Sequence, residues 1–108
     1  MEAEELVNVQ EQPMRMVFPS LFKHMAYQLE ETHNIHPHDI DARVITGKSD
    51  LKVIIRFGDN FSHEEWQRFS YQAIENLDSD VKAFIHATGK TCIKVLFNDY
   101  FNMMKPST

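Results

Sequence analysis

Ile40-Asp41-Ala42-Arg43-Val44-Ile45 and Leu51-Lys52-Val53-Ile54-Ile55-Arg56-Phe57, joined across Thr46-Gly47-Lys48-Ser49-Asp50, decide the fold of this chain. The first run has the β-branched alternation of a half-buried strand. In the second, Leu51, Val53, Ile55 and Phe57 alternate with Lys52, Ile54 and Arg56, so a strand there has one apolar face and one mixed face. Thr46 to Asp50 turns the chain between them, and Gly58-Asp59-Asn60 ends the second strand.

Upstream, Leu21, Phe22, Met25 and Leu29 recur at three-to-four spacing over Pro19–Thr32, which predicts an amphipathic helix with Pro19 in its first turn. His33 to Asp39, with Pro37 inside it, breaks that helix. Met14 to Phe18 is a short apolar run read as an edge strand, and Met1 to Gln12, with its glutamates, is expected to be a flexible acidic tail. Downstream, Ser62 and Glu65 have the spacing of a capping box, and Trp66, Phe69, Ala73, Ile74 and Leu77 trace a second helical stripe. Val81, Ala83, Ile85 and Ala87 alternate with Lys82, Phe84 and His86. Thr88-Gly89-Lys90 then reads as a turn into Ile93, Val95 and Phe97, and Asn98–Met104 as a short helix before Pro106.

The two halves resemble each other. Phe18 matches Phe61, Tyr27-Gln28 matches Tyr71-Gln72, Thr46-Gly47-Lys48 matches Thr88-Gly89-Lys90, and Leu51-Lys52-Val53 matches Ile93-Lys94-Val95. Either half alone would leave a helix stripe and a sheet face wet, so two units sharing one core is the economical packing. The match sets Ile40, Ala42 and Val44 in opposite parity to Val81, Ala83 and Ile85, which a bulge would reconcile. The expected fold is α+β: two α-β-β halves, 18–60 and 61–100, within one domain over 13–108. They form an antiparallel sheet of four strands, or five with Met14–Phe18, with two helices on one face and a short C-terminal helix.

The 108 residues, 43% hydrophobic and 25% charged, suffice for one core and are too few for two ordinary domains. A net charge of -5 disfavours loose adhesion to nucleic acid or anionic membranes. Cys92 has no intrachain partner for a disulfide, and the chain opens without a basic-then-apolar leader, so a reducing cytoplasm is the expected compartment.

Few motifs carry chemistry. Gly47-Lys48-Ser49 and Gly89-Lys90-Thr91 echo the end of a phosphate-binding loop, but the required earlier glycine is replaced by Ala42 and Phe84, and neither segment is read as opening a helix. His33, His36 and His38 with Asp39 offer metal ligands at a spacing that fits no familiar zinc module. In the expected second hairpin His86 and Cys92 face each other, yet nucleophilic catalysis further needs an orienting group, an oxyanion site and a pocket. No enzyme, cofactor or small-molecule substrate is expected.

Distribution of charge is more informative. Lys52, Arg56, Lys82 and Lys94, joined by Arg43, are expected on the sheet face away from the core, with Lys48 and Lys90 in the turns. Glu30, Glu31, Glu64, Glu65, Glu75 and Asp78 are assigned to helices. Ile54, Phe84 and Leu96 interleave with the cations, leaving a face both basic and apolar, unless Tyr100, Phe101, Met103 and Met104 fold back over it. Tyr27 and Tyr71 offer a second patch, and Trp66 is assigned to the core. The expected function is a non-catalytic protein-binding module, a small cytoplasmic regulator, inhibitor or immunity-type protein. It contacts a protein partner, or a second copy of itself, through Lys52, Ile54, Arg56, Lys82, Phe84, Lys94 and Leu96. The alternatives are single-stranded nucleic-acid binding through the same face and metal binding by the His33-His36-His38 loop. No membrane partner is expected.

Overall fold

The computed structural model describes residues 10–104. Its elements in chain order are β1 (Gln12–Pro13), α1 (Met14–Val17), α2 (Pro19–His33), β2 (Ile40–Thr46), β3 (Asp50–Phe57), β4 (His63–Ser70), α3 (Tyr71–Asn76) and α4 (Ser79–Met104). The architecture is α+β with a four-stranded antiparallel sheet in the order β1-β2-β3-β4.

The hairpin forms where the sequence places it. Ile40 pairs with Phe57, Val44 with Val53 and Thr46 with Leu51, and the turn closes with the Gly47 N–H donating to the Asp50 carbonyl at 2.8 Å. Helix α2 starts on Pro19 and buries Leu21, Met25 and Leu29. It stops because Asn34 takes the left-handed conformation (φ 56°). The Asn34 and Ile35 amides then donate back to the Glu30 and Leu29 carbonyls, which satisfies the last turn and drives Ile35 into the core.

The second half departs from the expected repeat: it is β-α-α, not α-β-β. Residues 63–70, read as the front of a helix, are strand β4. The chain doubles back through Gly58 (φ 85°), Asn60 (φ 55°) and Phe61 (φ 53°), and this tight reversal offers the β4 backbone the free edge of β3, which outweighs helical spacing in an edge segment. Helix α3 begins only at Tyr71, where the Ser70 hydroxyl accepts from the Ala73 N–H at 3.0 Å.

The expected second hairpin and the short C-terminal helix are one 26-residue helix, α4. Asp78 starts it, its Oδ1 accepting from the Asp80 and Val81 amides at 3.1 Å each. Over residues 79–100 its buried positions are Val81, Phe84, Ile85, Thr88, Gly89 and Cys92, a three-to-four stripe that the alternation of 81, 83, 85 and 87 conceals. Thr88-Gly89-Lys90 therefore lies within a helix. Gly89 is there for packing: a Cβ would stand 2.6 Å from the His33 ring Nδ1, so only glycine lets the end of α2 approach α4 this closely.

At the N-terminal end two boundaries shift. Met14–Val17 is helix α1, and the edge strand is Gln12–Pro13, so Glu11 and Gln12, assigned to the tail, belong to the folded unit. Residues 1–9 of that tail lie outside the described residues. The core joins Leu21, Met25 and Leu29 of α2 and Val81, Phe84, Ile85 and Cys92 of α4 to Val44, Leu51, Val53, Ile55, Phe57 and Phe69 of the strands.

Candidate protein-binding face

The strand alternation that sends Leu51, Val53, Ile55 and Phe57 into the core sends Asp50, Lys52, Ile54 and Arg56 to the other side. Cross-strand neighbours on that outer face are Asp41, Arg43 and Ile45 from β2 and Glu64, Trp66 and Arg68 from β4. Ile54 lies apart from the core cluster yet is only 2% exposed, and it is paired with Trp66, which is 51% exposed. Lys52 Nζ stands 4.2 Å from the Trp66 ring centroid, an arrangement worth about 0.5–1 kcal/mol at an exposed site.

Ion pairs frame this centre. Arg56 holds Glu11 through both terminal guanidinium nitrogens and reaches Glu64 with Nε at 3.0 Å. Arg43 donates to Asp41 at 3.0 Å, and Arg68 grips both oxygens of Asp50, each at 3.0 Å. The bonds from Arg56 hold the Glu11 carboxyl below the usual carboxylate range, and those from Arg68 do the same for Asp50. Each exposed pair contributes roughly 0–1 kcal/mol, so the lattice orients side chains more than it holds the fold.

Lys52, Ile54 and Arg56 thus lie on the outer face, with Arg43 beside them. Lys82, Phe84, Lys94 and Leu96 do not, because they belong to α4. Phe84 is 8% exposed and meets Phe69 edge-on at 5.7 Å, Leu96 packs against the core, and Lys82 and Lys94 are exposed on the helix. The separation into a basic sheet and acidic helices also fails, since Glu64 and Glu65 are strand residues and Glu64 pairs with Arg56. The segment expected to fold back over the sheet continues helix α4 without a break through Met104. Trp66, assigned to the core, is the exposed aromatic of the face. Its partner Ile54 was legible in β3, but Trp66 could join it only once 63–70 was known to be a strand.

The other candidates are dispersed. His86 is exposed and Cys92 buried on one helix, and burial pushes the Cys92 thiol up to about 11. His36 stacks on His38 with ring centroids 5.5 Å apart, whereas His33 turns to His86, 5.3 Å away. Among the described residues no group of three or more His, Cys, Asp or Glu is placed to hold a metal. Tyr27 is exposed on α2, while the Tyr71 hydroxyl donates to the Gly47 carbonyl at 2.6 Å. An open groove of about 470 Å³ between α1, the start of α2 and α3 is lined mainly by apolar side chains, including Phe18, Leu21, Ile74 and Leu77.

His33 gives the fold a pH dependence. Burial first, then His86 and Lys90, push its pKa below the ordinary value, so the unfolded chain binds this proton more tightly than the folded one. Stability from His33 is therefore complete above about pH 6.5 and is lost as the pH falls through the folded value. Thermal unfolding of wild type and His33→Gln from pH 7.5 to about 5 is expected to show the wild type losing more of its melting temperature. Parallel curves would remove His33 as the source.

No family model, curated protein or solved structure matches this chain.

Proposed function

We propose that this chain is a non-catalytic protein-binding module, a small cytoplasmic regulator, inhibitor or immunity-type protein that docks a partner protein on the outer face of its sheet around Trp66. The observation that carries the reading is the half-exposed Trp66 over a buried Ile54, ringed by Lys52, Arg43, Arg56 and Arg68. Tryptophan and arginine around a dry apolar centre are the residues most enriched where partners bind tightly. Among the described residues no helix is long and apolar enough to cross a membrane, which is compatible with the proposed compartment.

Two other readings draw less support. Single-stranded nucleic acid needs cations left over for phosphates and several stacking rings. On this face Arg43, Arg56 and Arg68 are each bonded to a carboxylate, and Trp66 is the aromatic present. Metal binding by His33, His36 and His38 would have to draw His33 away from His86.

The test is photocrosslinking in the protein's own cells, with benzoylphenylalanine in place of Trp66 and, as a control, in place of exposed Glu75 on α3. Protein adducts at position 66 that are absent at 75 and lost with Lys52→Glu support the face. Equal labelling at both positions, or adducts to nucleic acid alone, would sink the reading.

A further inference from the structure

Strand β4 ends the sheet: among the described residues it pairs only with β3, over its whole eight-residue length. Edge strands invite another strand and are usually guarded by proline, bulges or charge. The opposite edge carries such a guard, since β1 is two residues long and includes Pro13. β4, His63-Glu64-Glu65-Trp66-Gln67-Arg68-Phe69-Ser70, has no proline or glycine and pairs with β3 without a bulge. Its protection would have to be its charges, and those are self-complementary: two residues before Trp66 stands Glu64, two residues after it Arg68.

We propose that β4 pairs antiparallel with β4 of a second copy about a two-fold axis at Trp66, making one continuous eight-stranded sheet. The proposal rests on the protein-binding reading above and names the partner. A two-fold axis perpendicular to the sheet keeps both outer faces on one side, so paired positions must share parity. Centred on Trp66, the register sets Trp66 against the partner's Trp66, Glu64 against the partner's Arg68 and Glu65 against the partner's Gln67, each twice over except the tryptophan pair. Centring on Glu64 or Glu65 would oppose a glutamate to itself, and centring on Gln67 would set Glu64 against serine and Glu65 against phenylalanine.

The register also extends charges already in place. A guanidinium can serve two carboxylates, as Arg56 does for Glu11 and Glu64. Across the axis the row becomes Glu11, Arg56, Glu64, the partner's Arg68 and the partner's Asp50, alternating in sign throughout. At its centre the tryptophan pair and the two Ile54 side chains form one apolar strip, covering aromatic surface that the monomer leaves half exposed.

The test is sedimentation equilibrium of the full chain with the emission of Trp66, the single tryptophan, followed over the same concentrations. Wild type is expected to dimerise below about 100 μM, with emission shifting to the blue as it does. Glu64→Arg and Arg68→Glu, each folded by circular dichroism, are expected to be monomeric alone, because each sets like charges opposite one another twice. Mixed one to one they should form a heterodimer, in which both pairs are complementary again.

A second measurement does not depend on charge. Trp66→Cys should close a disulfide with itself on the axis, whereas Arg68→Cys should not, since its copies would lie about 14 Å apart. A wild type that stays monomeric throughout, or a mixture of the two charge variants that does not associate, overturns the proposal. If position 66 still crosslinks to a different protein, the binding face stands and only its partner is wrong.

Discussion

Phe84→Ala is expected to lower the unfolding free energy by about 3–5 kcal/mol, the usual cost of emptying a phenylalanine site in a packed interior. Phe84 is 8% exposed, its ring set edge-on to Phe69 and its helix neighbours Val81 and Ile85 in the same core. Phe69 is the buried residue of β4, so the pair is the main apolar tie between α4 and the strand that carries Trp66. Urea unfolding of wild type and variant measures the difference. A change under about 1 kcal/mol would mean that position 84 is a surface site after all, as the alternation of 81 to 87 suggests.

Gly58→Ala is the second large effect. At φ 85° and ψ -170° Gly58 lies in a region open essentially to glycine alone. Added to that strain, a Cβ would stand 2.7 Å from His63 Cδ2 and 2.9 Å from Val95 Cγ1. The two sources together are expected to cost about 3 kcal/mol. The loop turns β3 into β4, and its Asp59 N–H donates to Asp99 Oδ2 at 3.0 Å, so the same alanine should also loosen the far end of α4. Hydrogen exchange at 93–100 against 81–88 reads this: faster exchange confined to the distal segment is expected, and uniform exchange would contradict it.

The two substitutions bear on the face in different ways. Phe84→Ala removes packing behind β4, whereas Gly58→Ala disturbs the reversal that brings β4 to β3. Neither touches the outer side chains. If Trp66 binds a partner because β4 is held rigid, both should weaken that binding, while Lys52→Glu should weaken it without loss of stability.

The sequence by itself determined helix α2 and the β2-β3 hairpin, and with them Lys52, Ile54 and Arg56 on the outer face. In each case a local rule is satisfied by near neighbours: Pro19 and Asn34 bound the helix, and Leu51, Val53, Ile55 and Phe57 alternate without competition from a helical stripe. Thr46-Gly47-Lys48 and Thr88-Gly89-Lys90 show where that stops. The first is a hairpin turn and the second the middle of α4, because Gly89 meets the His33 ring and Asp78 caps the helix ahead of it. Residues 63–70 and 81–97 carry both periods, and short apolar patterns of that kind do not separate helix from strand. The tertiary structure decided between them: β4 pairs along the open edge of β3, and α4 lays its three-to-four stripe against the core that α2 and the sheet share. Trp66 changed sides with that decision, since the residue that would be core on a helix becomes the exposed centre of the outer face on a strand.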